Sequence, residues 1–222
     1  MSSLPILSLA ETRVLGVLIE KQRTVPDTYP LTLNQLVAGC NQKTSRNPVL
    51  ELSEAQVQDA LDNLRARSLV TETSGGRVMR YAHNADGVLR VPSQSLALLT
   101  VLMLRGPQTA GELRIASERM HNFADTSSVE AFLDELAERP AGALVARLAR
   151  LPGARENRWM HLLSGDAPQA VAALDAPTVA SDPTGDVAAL RAQVGRLEGE
   201  VMALKATVAR LCAELGVSAD AG

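Results

Sequence analysis

The residues best suited to chemistry in this 222-residue chain are donors for a phosphate oxygen. From Thr28 to Leu50 there is no carboxylate, and residues 41–48 within that stretch carry Lys43 and Arg46. The same loop has the amides of Asn41, Gln42 and Asn47 and the hydroxyls of Thr44 and Ser45. Cations and neutral donors side by side, with no acid among them, suit a nucleic-acid backbone, which is gripped without being read. A second basic set, Arg147, Arg150, Arg155 and Arg158, faces only Glu156, and Arg77 and Arg80 form a smaller one. For any single arginine of these sets, a partner inside its own module is the ordinary alternative.

Catalysis or metal binding would require converging polar residues, and no such pattern stands out. The chain has no P-loop, GxGxxG, GxSxG or HExxH. His83, His121 and His161 have no cysteine or acidic ligand at a metal-like spacing, so they read as structural. The expectation is a non-enzyme with no catalytic residue, metal or cofactor. Cys40 and Cys212 form no CxxC, which fits a reducing compartment. Cys40 sits among apolar neighbours, and Cys212 beside a heptad seam.

The elements that must carry these residues occur twice. In the first copy, Ser8 and Glu11 form a capping box before Val14, Leu15, Leu18 and Ile19 at helical spacing, and Pro26 and Pro30 close the helix. Thr32 caps a short helix with Leu33, Leu36 and Val37. Ser53 and Gln56 then open a third helix bearing Val57, Ala60, Leu61 and Leu64. Two strands follow around Ser74-Gly-Gly, 69–73 and 77–83. In the second copy, a helix over 95–104 ends at Gly106-Pro107, and Thr109 caps a short helix. Val129, Phe132, Leu133 and Leu136 repeat the spacing of the earlier third helix. Strands 144–148 and 157–161 flank Pro152-Gly153, and Arg80-Tyr-Ala-His83 matches Arg158-Trp-Met-His161.

Three helices and a hairpin, repeated, predict a mainly α protein with small β hairpins (α+β), namely two tandem winged helix-turn-helix domains over 1–91 and 92–165. A flexible linker over 166–185, with Pro168, Pro177 and Pro183, precedes a coiled-coil helix over 186–216. Val187, Leu190, Val194, Leu197, Val201, Leu204, Val208 and Leu211, continued by Leu215, alternate steps of three and four. This heptad, with valine at a and leucine at d, favours a parallel homodimer.

The chain also resembles the YceH-type family of bacterial tandem winged-helix proteins. The resemblance is carried by Glu11–Lys21, Tyr29–Asn34, Cys40–Val49, Arg105–Thr109, Gly111–Arg114, Arg119–His121 and Arg158–Gly165. It spans about residues 8–165 and implies the fold strongly and the activity hardly at all. Asn47 departs from the acidic residue expected before Pro48, which leaves the loop more basic.

Charge and composition narrow the function. Residues 1–91 have net charge +1, residues 92–165 are neutral and residues 166–222 have net −4, within a total of −3. Such a chain lacks the strongly basic surface that holds polyanions unaided. Five aromatic residues are too few for single-strand stacking. The apolar run Leu96–Leu104 is too short for a bilayer, and no signal pattern opens the chain, so a cytoplasmic protein without a membrane contact is expected. Outward positions of the third helices are acidic on balance: Glu54, Gln58, Asp59, Asp62, Asn63 and Arg65 in one, Glu130, Asp134, Glu135 and Glu138 in the other. Two functions compete. One is a dimeric regulator that contacts double-stranded DNA through the 41–48 loop and the hairpin arginines. The alternative is a protein-interaction scaffold that binds no DNA. The first is held slightly ahead by analogy with the fold's common use.

Overall fold

Helix starts in this chain are set by side chains that satisfy the first free backbone N–H groups. Ser8 with Glu11, Thr32 with Gln35, Ser53 with Gln56 and Thr109 with Glu112 each form a complete capping box. A cap of this kind contributes about 1 kcal/mol to its helix. The structure, a computed structural model, describes residues 6–74, 78–150 and 153–165. Arg77, the expected linker and the whole heptad segment, Val187 to Leu215, lie outside the described residues.

The first repeat contains α1 (Leu9–Thr24), a 3-10 turn (Pro26–Thr28), α2 (Leu33–Cys40), α3 (Glu54–Ala66), β1 (Val70–Ser74) and β2 (Met79–His83). β1 and β2 pair antiparallel from Val70↔His83 to Ser74↔Met79, and Leu31 bridges Tyr81 as a third, minimal strand. A one-turn helix, α4 (Ala85–Leu89), unforeseen in the sequence, leads to the second repeat. That repeat contains α5 (Ser93–Arg105), β3 (Gln108–Thr109), α6 (Ala110–Ser117), α7 (Thr126–Ala137), β4 (Val145–Arg147) and β5 (Arg158–His161). Its sheet is antiparallel in the order β3-β5-β4. The protein is thus a mixed α+β structure with small antiparallel sheets.

The predicted core stripes are buried at Val57, Ala60, Leu61 and Leu64 on α3 and at Val129, Leu133 and Leu136 on α7, where Phe132 is half-buried against the core. Strand alternation sends Tyr81 and His83 inward on β2, and Trp159 inward on β5.

Over the described residues, both repeats fall in one compact unit and share a hydrophobic core. Their first helices make the seam. α1 is buried continuously from Glu11 to Ile19, and α5 from Ser95 to Leu104. The apolar run 96–104 is therefore a helix covered on all sides. Gly16 allows the approach, since a Cβ there would lie 2.9 Å from Leu104 Cδ2. Among the described residues, no helix is long and apolar enough to cross a membrane.

Candidate nucleic-acid interface

The 41–48 loop joins the end of α2 to the segment before α3; Arg46 is buried, Asn41 and Gln42 are half-buried, and its remaining polar side chains are exposed. Asn41 Nδ2 donates to the Leu52 carbonyl and its Oδ1 accepts from the Leu52 N–H, both at 2.8 Å, which closes the loop like a clasp. Arg46 is the larger correction. Its side chain is fully buried, with Nη2 2.6 Å and Nη1 3.1 Å from the two carboxylate oxygens of Glu20 on α1. It also donates to the Gly39 and Ser45 carbonyls and to Gln42 Oε1. A guanidinium whose donors are spent this way cannot also hold phosphate. Gln42 accepts from both Arg46 and Lys21. Among Asn41, Gln42, Lys43 and Arg46, Lys43 alone is exposed; it has no partner among the described residues.

Glu20 shows the cost and the remedy of this arrangement. Burial alone would raise its pKa, but the Arg46 hydrogen bonds and charge, helped by Lys21, hold it below the usual carboxylate range. Arg13, fully buried on α1, braces the same loop from beneath. It donates to the Cys40 carbonyl at 3.1 Å and to the Pro48 carbonyl at 2.6 Å. Burial pushes the Cys40 thiol up to about 12, so it stays neutral. The loop also leans on the second repeat, where the Asn47 N–H donates to the Leu104 carbonyl and Arg105 donates to Ser45 Oγ.

The hairpin arginines divide into two groups. Arg80 donates to the Pro30 carbonyl at 2.8 Å, and Arg158 donates to the Pro107 carbonyl at 2.9 Å and pairs with Glu112. They are equivalent clamps, each tying its returning strand to the turn before a short helix, and not outward contacts as the strand alternation suggests. Arg147 pairs with Asp134 at 3.2 Å and lies over the Trp159 ring. Arg150 and Arg155 are exposed, with no partner among the described residues. The proposed set is therefore dispersed. Lys43, Arg150 and Arg155 remain available, while Arg46, Arg80 and Arg158 serve the fold.

The histidines are structural where their contacts are described. His83 Nδ1 accepts from the Ala85 N–H, so its Nε2 carries the proton toward Gln22 Oε1 at 2.8 Å. Burial lowers its pKa. His161 is pushed down to about 4 by burial, and its Nδ1 is shut off from water without a partner. His121 packs edge-on against Phe123. Among the described residues, no group of three His, Cys, Asp or Glu side chains is placed to hold a metal ion.

The family described as "Protein of unknown function, DUF480" matches residues 7–154, which take in the first repeat, the whole loop and the second repeat as far as β4. The chain belongs to the DUF480 family. Its DUF480 relatives are close. A UPF0502 protein of Dechloromonas aromatica is 62% identical over 200 residues, covering 90% of this chain and 92% of the relative. A UPF0502 protein of Burkholderia cenocepacia is 59% identical over 217 residues, covering 97% and 92%. One from Burkholderia ambifaria is 57% identical over 219 residues, covering 97% and 92%. Arg13, Glu20, Arg105 and Arg119, which the reading of the sequence passed over, lie inside the matched span. The long carboxylate-free stretch 28–50 hinted at Glu20 alone, because Arg46 had to find its acid on another element.

Proposed function

We propose that this protein is a tandem winged-helix docking module that binds a basic protein partner through the exposed faces of α3 and α7. One observation carries the reading. The exposed positions named above, with Glu138 just past α7, hold seven carboxylates, against Arg65 as the basic residue on the α3 face. In a winged helix these are the helices that would enter the major groove, and a groove walled by phosphates repels them. A positively charged protein surface complements them. The role is one of binding and not of catalysis, which is supported by a sequence with no recognisable catalytic motif. The heptad from Val187 to Leu211 supports a homodimer, which would present the docking faces twice and raise avidity.

A second reading, DNA contact through the backbone, is favoured by three cations with no partner among the described residues: Lys43, Arg150 and Arg155. Titration of the full chain with random-sequence duplex DNA at several salt concentrations separates the two. Docking predicts no measurable affinity at about 50 mM salt. DNA contact predicts a log–log salt slope that falls by about 0.9 for each of the three cations changed to alanine. A partner captured by the full chain should be lost on Glu135→Lys with Glu138→Lys, and its retention would reject the acidic-face reading. Light scattering of the full chain against one ended at Gly165 tests the dimer, and equal monomeric masses would remove it.

A further inference from the structure

We propose that the polar cavity at the seam of the two repeats binds a small anion bearing phosphoryl groups, of about pyrophosphate size. The cavity has a volume of about 170 Å³ and is lined by the last turn of α1, the 41–48 loop, the end of α5 and the segment just after α6. That is roughly the liquid volume of five or six water molecules. No residue of α3 or α7 lines it, so the site stands apart from the docking faces.

Three cations converge there: Lys21 from the first repeat, and Arg105 and Arg119 from the second. The carboxylate in the lining is Glu20, and both its oxygens are engaged by the buried Arg46, with Lys21 Nζ at 3.4 Å. Arg46 thus neutralises the acid that would otherwise repel an anion. Thr44 and Ser45 add hydroxyl donors.

The simplest account of such cations is that they offset helix carbonyl ends, since α1, α5 and α6 all finish near this point. Three ends contribute about −0.5 each, which leaves an excess of one to two positive charges. Two further observations exceed that account. Arg105 reaches across to Ser45 Oγ at 2.8 Å on the other repeat. Arg119 has no partner among the described residues. A ligand held by Lys21 on one side and by Arg105 and Arg119 on the other would join the repeats at their shared seam.

The test is calorimetric titration of the full chain with sodium pyrophosphate at constant ionic strength, with inorganic phosphate and random-sequence duplex DNA as further arms. Saturable one-site binding of pyrophosphate is expected. Arg119→Ala should weaken it roughly tenfold to a hundredfold, the usual effect of losing a charge-assisted hydrogen bond. Arg114→Ala removes the same charge from exposed α6 outside the cavity and should change it by less than about threefold. Phosphate binding more weakly at the same site agrees with the proposal. No saturation by about 10 mM overturns it, as does equal weakening by the two substitutions. Displacement of pyrophosphate by the duplex would assign the cations to nucleic acid and also overturn it.

Discussion

Replacing Arg46 with alanine separates a structural ion pair from a phosphate contact. A side chain that waits at the surface for DNA would cost within about 0.5 kcal/mol when removed. Arg46 instead has no exposed side-chain surface and spends its donors on Glu20, Gln42 and the Gly39 and Ser45 carbonyls. Its loss strands the Glu20 carboxylate, whose own side chain is 17% exposed, with only Lys21 at 3.4 Å to compensate. Breaking a pair this well buried costs about 3–5 kcal/mol, mostly because the remaining charge is left unpaired. For a folded unit of this size each kcal/mol moves Tm by about 2–4 °C, so a fall of roughly 10 °C is expected. The pair also carries a pH signature. The Glu20 pKa is lower in the folded state, so its stabilisation is complete above the unfolded carboxylate range. It is lost as pH falls through the folded value. Arg46→Ala should therefore flatten the acid limb of the stability profile as well as lower the whole curve. Adding Glu20→Leu should recover part of the loss, because no buried charge then remains. Urea melts of the single and double variants between pH 7 and pH 3 supply both readouts. A melt of Arg46→Ala that overlays wild type would refute the inward placement and return Arg46 to the surface.

Two further outcomes follow from the same packing. His161 is held near 4 in the folded state against about 6.5 unfolded, so the fold favours its neutral form. That contribution is complete above pH 6.5 and is lost as pH falls toward 4, by at most about 3 kcal/mol. His161→Gln should remove this dependence from urea melts, and an unchanged profile would reject it. Trp159→Ala should cost about 3–5 kcal/mol for a buried aromatic, and Arg158→Ala about 1–2 kcal/mol for its half-exposed contacts with Pro107 and Glu112. Thermal melts showing no effect for Arg158→Ala would mean that the clamp contributes nothing.

Local order was legible because it is written in local spacing. The capping boxes and the 1-4-5-8 stripes of α3 and α7 involve residues within two helical turns, and those elements stand where the stripes place them. Two features escaped for the same reason in reverse. α4 is a single turn of five residues, too short to show a period. The sharing of one core by both repeats depends on α1 meeting α5, some eighty residues apart. Its trace was the apolar run at 96–104, interrupted by Thr100 alone, which signals a helix without a solvent face as well as a segment too short for a membrane.

The site residues were harder to assign, because a cation's partner is a tertiary fact. The folded repeats hold nearly equal numbers of acids and bases, so composition cannot say which arginines are spent internally. Repetition can. Arg80 and Arg158 recur at matching places, each beside its own proline carbonyl, Pro30 and Pro107. A residue that meets the same local need in both copies belongs to the fold they share. Glu20 has no such counterpart, since α5 carries no acidic residue, whereas Lys21 of α1 stands at the helical position of Arg105 in α5. Glu20, which breaks the repeat, lies at the seam, where the first copy's last helical turn and loop face the second copy's Arg105 and Arg119. Departures from internal symmetry therefore point away from the hairpins and toward the seam as the part of this protein built for a purpose that each repeat does not serve by itself.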